Sequence, residues 1–274
     1  MSETPLEREL KELIASEGPI SMAHYMGLAL GHPQHGYYMG RDPFGARGDF
    51  ITAPEVSQIF GELIGVWAAA AYQMLGAPEQ FHLVELGPGR GTLMSDMLRA
   101  AKVMPGFLDA AKVHLVEMSP ALRQNQKVKL AKSGAAVQWH ERFEDVPEGP
   151  LIVVANEFFD ALPVHQFQKT QQGWCERVIG LDEGGELTIG LQQAPVREIP
   201  KWAETGEVGA ICELAPVRAQ IAEELGKRMS KHQGFGVFID YGHSRSGVGD
   251  TLQALSKHKY ADVLHQPGLC DITS

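Results

Sequence analysis

Three glycines at alternate positions follow an acid in the stretch LVELGPGRGTLM; they are Gly87, Gly89 and Gly91, after Glu85. The apolar run before them predicts a strand, and residues 92–94 begin a helical pattern. Because glycine has no Cβ, the backbone of such a turn can adopt positive φ and approach a ligand closely. N–H groups at the turn and at the helix start favour an anionic group such as a carboxylate. The stretch predicts a cofactor site, with a tight turn that holds no ligand as the alternative.

The spacing of these glycines discriminates between cofactors. A dinucleotide motif, G-x-G-x-x-G, requires its third glycine where this chain has Thr92. The pattern acid-x-G-x-G-x-G resembles instead the first motif of class I S-adenosylmethionine-dependent methyltransferases. In such a site Glu85 is useful near the cationic amino group of the ligand. A nicotinamide oxidoreductase is disfavoured by Thr92 and is kept as an alternative.

A second acid, Glu117, ends the next predicted strand in KVHLVEMSP. An acid at this place can accept hydrogen bonds from both hydroxyls of a ribose, and a solvated strand-end glutamate is the alternative. Glu117 does not decide between cofactors, because NAD enzymes use an acid there too. Phe143, after the third predicted strand, is a candidate to supply an apolar face to the adenine, with a core position as the alternative.

Candidate acceptor groups follow the fourth and fifth predicted strands: Asn156, Glu157 and Asp160 after PLIVVANEF, and Asp240 and His243 after GFGVFIDYG. Ligands of open α/β sheets bind outside the carboxyl ends of the strands. We assign Asn156 to the cofactor and the other four to catalysis. If a helical turn begins here, Glu157 and Asp160 share one face. Carboxylates beside a sulfonium suit a guanidinium, which pairs with them bidentately. His243 could accept a proton at neutral pH, or be an ordinary loop histidine.

Alternating strands and helices must position these residues. Five strands, FHLVEL, KVHLVEM, AAVQWH, PLIVVANEF and GFGVFIDYG, are interleaved with helices predicted at 91–101, 120–132 and 215–231. Short βα units in series predict an α/β fold: a Rossmann-like class I methyltransferase sheet with helices on both faces. An N-terminal helical extension, with helices at 5–16, 20–30 and 54–75, precedes this sheet, and a β-rich insertion follows the fourth strand.

This pattern predicts four segments along the chain. Residues 1–80 form the helical segment with a lid-like loop at 32–54, and residues 81–165 form the cofactor-binding βα units. Residues 166–232 form the β-rich insertion plus a helix. Residues 233–274 return to the core sheet.

Composition excludes several classes of protein. The chain has 274 residues and a formal net charge of −10, which argues against a nucleic-acid binder. Three distant cysteines predict neither a zinc site nor disulfides and indicate a reducing compartment. The N-terminus is acidic and resembles neither a signal nor a transit peptide, and no apolar run is long enough to span a bilayer. His32 and His35 have no third ligand at a supporting spacing, so we expect no metal. These features predict a cytoplasmic protein without membrane insertion.

Long motifs place the chain closer to one family. PISMAHYMGLALGHPQHGYYMG, VELGPGRGTLMSDMLRA, NEFFDALPVHQF and FIDYGHSRSGVGDTLQA resemble the MidA/NDUFAF7 family, and the resemblance covers essentially the whole chain. It implies methyl transfer from S-adenosylmethionine to a protein arginine, in a subunit of respiratory complex I. It also implies that Glu85 and the three glycines hold the methionine, that Glu117 holds the ribose, and that NEFFDALP lines the acceptor site.

The same resemblance leaves three points open. For a eukaryotic source it implies the mitochondrial matrix, with the transit peptide absent here. Family chains continue past the segment that matches CDITS, so a chain truncated at its C-terminus is one expectation. Its last sheet strands would then be missing or supplied by the insertion. A non-catalytic assembly factor that binds a partner protein through the same fold is the alternative function.

Overall fold

The computed structural model describes residues 3–39, 52–192, 196, 199–256 and 258–274. Its helices are α1 (Pro5–Glu17), α2 (Met22–Gly31), α3 (Ala53–Val56), α4 (Gln58–Met74), α5 (Thr92–Ala101), α6 (Phe107–Ala110), α7 (Pro120–Leu130) and α8 (Pro216–His232). Its strands are β1 (Ile20–Ser21), β2 (Phe81–Leu86), β3 (Ala111–Val116), β4 (Ala136–His140), β5 (Leu151–Asn156), β6 (His165–Thr170), β7 (Gly173–Leu181), β8 (Leu187–Leu191), β9 (Ile211–Leu214), β10 (Gly234–Ile239), β11 (Gln253–Ser256), β12 (Lys259–Ala261) and β13 (Asp271–Thr273).

The chain divides into two compact units. The first unit consists of Met1–Gly40, Asp160–Arg218 and Tyr241–Ser274, and the second of Arg41–Phe159 and Ala219–Asp240. Each unit therefore contains segments that are far apart in the sequence.

The second unit contains a five-stranded parallel sheet in the order β10-β5-β2-β3-β4. Its strands end in step, since Leu86 pairs with both Val116 and Ala155. The carboxyl ends of all five strands therefore lie along one edge, where ligands of such sheets bind. The α/β fold predicted from the sequence is confirmed.

Helices cover both faces of this sheet, as the sequence predicts. Leu83 and Ile152 pack in one cluster with residues of α4 and α5. Val84 and Val153 pack in another, with Leu225 of α8. Because successive side chains of a strand point to opposite faces, β5 carries apolar side chains on both faces, and its Leu151–Ala155 segment is a continuous hydrophobic run.

The prediction of one continuous helix at 54–75 is wrong. The segment forms two helices, α3 and α4, which are separated at Ser57. Ser57 has extended backbone angles (φ −145°, ψ 118°), which end the first helix. The buried face of α4 includes the glycines Gly61 and Gly65. A Cβ on Gly65 would lie 2.6 Å from the carbonyl oxygen of Met97, so close packing against α5 requires a small residue there. Larger side chains such as Leu63 are displaced to the exposed face.

The first unit contains α1 and α2 and two antiparallel sheets. One sheet has the order β1-β7-β6-β9 with β8 beside β7, and the other has the order β12-β11-β13. The β-rich insertion predicted after the fourth strand contains β6 to β9, which pair antiparallel. None of these described strands extends the parallel sheet of the second unit. Ser21 caps α2, since its Oγ accepts from the N–H of His24 at 3.1 Å.

The lid-like loop predicted at 32–54 is described only in part, because residues 40–51 lie outside the described residues. Tyr37 is fully buried in the core of the first unit. The Tyr38 hydroxyl donates to Asp271 at 2.7 Å. Both tyrosines therefore anchor their segment. Within the described ranges, no helix combines the length and apolar character needed to cross a membrane.

Candidate active site

The glycine turn between β2 and α5 is built from left-handed backbone. Gly87, Gly89 and Gly91 have φ values of 62°, 52° and 78°. These angles are unfavourable for residues with a Cβ, which explains why three glycines recur here. A Cβ on Gly87 would also lie 2.8 Å from the ring of Phe158. The Gly87 N–H donates to the Val116 carbonyl at 3.1 Å, which fixes the turn against β3.

Glu85 supplies a buried carboxylate at the end of β2. Its side chain accepts from the backbone N–H of Met94, and burial, with a smaller contribution from the charge of Glu117, raises its pKa to about 8. Its Oε2 is buried and has no hydrogen-bond partner among the described residues. An unpaired buried acceptor of this kind is costly unless a donor reaches it. The ammonium group of a bound amino acid moiety is such a donor.

Glu117 follows β3, and three donors hold its carboxylate, one of them the backbone N–H of Met118. Oε1 accepts from the Ser119 N–H at 2.8 Å. Oε2 accepts from Gln126 Nε2 at 3.2 Å. Burial raises the pKa of Glu117, while these hydrogen bonds act in the opposite direction. A carboxylate has about four acceptor sites, so acceptor capacity remains for a ribose hydroxyl.

Gln126 is a residue that the sequence reasoning missed. It lies on α7, is fully buried, and also donates to the Gly89 carbonyl at 2.7 Å. A signal was present in the sequence, because Leu122, Gln126 and Leu130 recur at intervals of four on one helical face. A glutamine on an otherwise apolar stripe needs buried hydrogen-bond partners.

Phe143 lies in the environment of a core residue. A core position was the alternative to adenine contact in the sequence analysis. It is only 3% exposed and packs with Val146 and Leu225. The guanidinium of Arg228 lies 4.6 Å from its ring centroid. Its contact with adenine stays a prediction.

The ends of β5 and β10 bring Asn156, Glu157 and Asp240 together. Asn156 donates to the Glu157 carboxylate, and burial raises the pKa of Glu157, with a further contribution from the charge of Asp240. Oδ1 of Asn156 is buried without a hydrogen-bond partner in the described chain. Asp240 accepts the backbone N–H groups of Phe158 and Phe159 at 3.1 and 2.8 Å, so it holds the segment after Glu157.

The backbone of this segment differs from the helical turn considered from the sequence. Glu157 has φ 49°, in the left-handed region, and bends and a turn follow it instead of a helix. Such a conformation costs about 1–2 kcal/mol for a residue with a Cβ. The Glu157 N–H donates to the Ile239 carbonyl at 2.8 Å and thereby holds the residue in place.

Asp160 and His243 belong to the first unit. Asp160 is buried, and its carbonyl accepts from the Ser274 N–H at 3.1 Å. His243 is exposed in a segment without regular secondary structure. Catalytic roles for these two residues stay predictions.

Among the described residues, no group of three or more histidine, cysteine or acidic side chains is arranged to hold a metal. His32 and His35, which form the H-x-x-H pattern, both pair with Glu9, at 3.1 and 3.2 Å from its carboxylate.

Comparison with known proteins decides the family. Residues 63–274 match the profile of a family described as "Putative S-adenosyl-L-methionine-dependent methyltransferase". The chain belongs to this methyltransferase family. Its cofactor is S-adenosylmethionine, as the sequence predicts.

Curated relatives of this methyltransferase share much of its sequence. It is 39% identical to mouse "Protein arginine methyltransferase NDUFAF7, mitochondrial" over 99% of its own length and 67% of the relative. The human protein of that name is 39% identical, with 99% and 66% covered. The Drosophila melanogaster homologue is 38% identical, with 98% and 67% covered. The methyltransferase thus spans about two thirds of the length of these relatives.

A solved structure supports the same fold. A COG1565 superfamily member from Burkholderia thailandensis, bound to S-adenosyl-homocysteine, superimposes with a TM-score of 0.80 at 27% identity. The match covers 98% of the methyltransferase and 72% of the bacterial chain.

Proposed function

We propose that this methyltransferase transfers the methyl group of S-adenosylmethionine to an arginine side chain of a protein. Relatives named protein arginine methyltransferases match nearly the whole chain at 38–39% identity, which supports this acceptor. The carboxylate of Glu157 at the carboxyl edge of the sheet carries the proposal, because a guanidinium needs an anionic partner beside the methyl donor.

The chemistry needs alignment more than proton transfer. Bound S-adenosylmethionine supplies a sulfonium methyl group; a guanidinium nitrogen forms the new N–C bond as the C–S bond breaks and the electron pair returns to sulfur. Holding the two reactants in line at contact distance favours this displacement. A guanidinium has a pKa of about 12.5–13.8, so its proton leaves with or after the transfer.

Glu157 and Asp240 have different roles at the acceptor site. Glu157 pairs with the guanidinium and directs one nitrogen toward the methyl group. Two hydrogen bonds fix its position: its backbone N–H donates to the Ile239 carbonyl, and the Asn156 side chain donates to its carboxylate. Asp240 holds the N–H groups of Phe158 and Phe159 and so supports the conformation of Glu157.

The protein substrate is part of the proposal. The family resemblance implies a subunit of respiratory complex I, and the relatives are named mitochondrial. We propose the mitochondrial matrix for a eukaryotic source and the cytoplasm otherwise.

Glu157→Gln tests the acceptor site, because it keeps the shape of the side chain and removes its charge. We expect S-adenosylhomocysteine affinity to stay near the parental value and methyl transfer to fall 10-fold or more, about 1.4 kcal/mol of transition-state stabilisation. Methylarginine is measured by mass spectrometry after incubation with S-adenosylmethionine and cell extract. Glu157→Asp keeps the charge but misplaces it, so it should lose activity too.

Glu79→Gln is the matched control, because Glu79 is an exposed acid just before the amino end of β2, opposite the ligand edge. Parental activity in Glu157→Gln would remove Glu157 from the acceptor site. Weak cofactor binding by that variant would move Glu157 to the cofactor site. Cofactor binding by the parent without methylarginine in any protein would favour the non-catalytic assembly factor.

A further inference from the structure

We propose that Gln126 is a positioning residue that orients Glu117 for the ribose and ties it to the glycine turn. The inference rests on the proposed cofactor site. Gln126 touches neither the methyl donor nor the acceptor in this proposal, and it acts through the groups that hold the cofactor.

Three hydrogen bonds fix the amide of Gln126. Nε2 donates to the Gly89 carbonyl at 2.7 Å and to Glu117 Oε2 at 3.2 Å. Oε1 accepts from the indole Nε1 of Trp139 at 2.8 Å. An indole N–H can only donate, so it must face the amide oxygen. The amide nitrogen must then face the two acceptors, and the orientation follows from chemistry alone.

This arrangement joins three strands of the sheet. Glu117 follows β3, Gly89 lies in the turn after β2, and Trp139 lies on β4. One side chain from α7 therefore sets the distance between the methionine-binding turn and the ribose-binding acid. The buried position of Gln126 leaves its bonds free from competition with water.

Gln126 also determines how Glu117 presents its oxygens. Ser119 occupies one lone pair of Oε1, and Gln126 occupies one lone pair of Oε2. The backbone N–H of Met118 also bonds to this carboxylate. The acceptor capacity that remains is available to the ribose hydroxyls. Without Gln126, Oε2 loses its anchor and the carboxylate can rotate about its terminal bond, which is a soft torsion.

The packing around Gln126 explains a further requirement for glycine. A Cβ on Gly91 would lie 3.3 Å from Cγ of Gln126, and Gly91 has φ 78°. The third glycine of the motif therefore makes room for Gln126 as well as turning the chain.

Gln126→Met tests the proposal, since methionine fills a similar volume without the three hydrogen bonds. The probes are S-adenosylhomocysteine and its 2′-deoxy and 3′-deoxy analogues, titrated by calorimetry. In the parent, loss of a hydroxyl that meets Glu117 should weaken binding about 10- to 100-fold. In Gln126→Met we expect S-adenosylhomocysteine to bind about 10-fold more weakly and the discrimination against the deoxy analogues to fall below about 3-fold.

The ratio of the affinity for S-adenosylhomocysteine to the affinity for its deoxy analogues distinguishes a positioning role of Gln126 from a purely structural role. Weaker binding with an unchanged ratio would assign Gln126 to stability alone and overturn the proposal, as would unchanged affinity for all probes. If Gln126→Met does not fold, Trp139→Phe removes the indole donor that fixes the amide. Trp139→Phe should also reduce this affinity ratio. An affinity ratio equal to that of the parent would overturn the proposal.

A double-variant cycle gives an independent check. In a Glu117→Ala background, Gln126→Met should weaken binding less than about 3-fold, because the group it orients is gone. A full 10-fold effect in that background would assign the loss to the Gly89 contact and overturn the role of Gln126 in orienting Glu117. A parent protein that does not bind S-adenosylhomocysteine would instead show that the proposed cofactor site itself fails.

Discussion

Glu85 should release a proton when the cofactor binds. Its carboxylate is 3% exposed, and one oxygen has no partner among the described residues. Burial raises its pKa to about 8, so at neutral pH the ligand-free protein holds this side chain mostly protonated. An ammonium group placed against it favours the ionised form. Binding at pH 7 should therefore expel about 0.9 proton from this site.

The same pKa sets a stability difference. The native state retains the proton over the range in which the unfolded chain loses it, from the usual value of 4.5 up to about 8. Stability contributed by the neutral form is thus complete below the unfolded pKa and falls as pH rises to about 8. At about 1.4 kcal/mol per pH unit, the loss is about 3 kcal/mol at pH 7 and about 5 kcal/mol above pH 8.

Glu85→Gln isolates both effects, because it mimics the neutral carboxyl. We expect this variant to unfold at higher urea concentration than the parent at pH 8, and at a similar concentration at pH 4. Calorimetric titration with S-adenosylhomocysteine, in buffers of different ionisation enthalpy, measures the released protons. The parent should release about 0.9 proton more than the variant at pH 7.

Two results would refute this reasoning. Equal proton release by parent and variant would show that Glu85 is ionised before binding or does not meet the ammonium group. A stability difference that stays constant between pH 5 and pH 8 would show that burial does not shift the titration of Glu85.

Three other predictions concern the same sheet. Gly89→Val should abolish the rise in melting temperature that S-adenosylhomocysteine causes, because φ is 52° there; a parental rise would contradict the turn assignment. Glu117→Ala should weaken S-adenosylmethionine binding by about 1–3 kcal/mol, and unchanged affinity in calorimetry would remove it from the site. His114 bonds to His82 and His140, both at 2.9 Å, and burial lowers its pKa to about 4. The parent should therefore lose stability relative to His114→Gln in urea titrations as pH falls from 7 to 4, and parallel curves would contradict this.

Local patterns in the sequence predicted the sheet well. The strand predicted from FHLVEL is β2, with identical bounds, because four of its six residues are apolar and a glycine turn ends it. The glycine turn could also be predicted from the sequence, because left-handed backbone directly restricts the residue type. The buried face of the segment at 54–75 was harder to predict, because it depends on how closely α5 approaches Gly61 and Gly65.

The sequence by itself determined the parallel α/β sheet, the left-handed glycine turn and the acids at the strand ends, because each depends on residues close together in the chain. Only the tertiary structure decided which side chains meet. It brought Gln126 to Glu117 and Gly89, and it left one oxygen of Glu85 without a partner among the described residues. It also turned Asp240 toward the backbone of Phe158 and Phe159. These contacts join segments as far apart as β5 and β10, and their geometry depends on packing that no local pattern records.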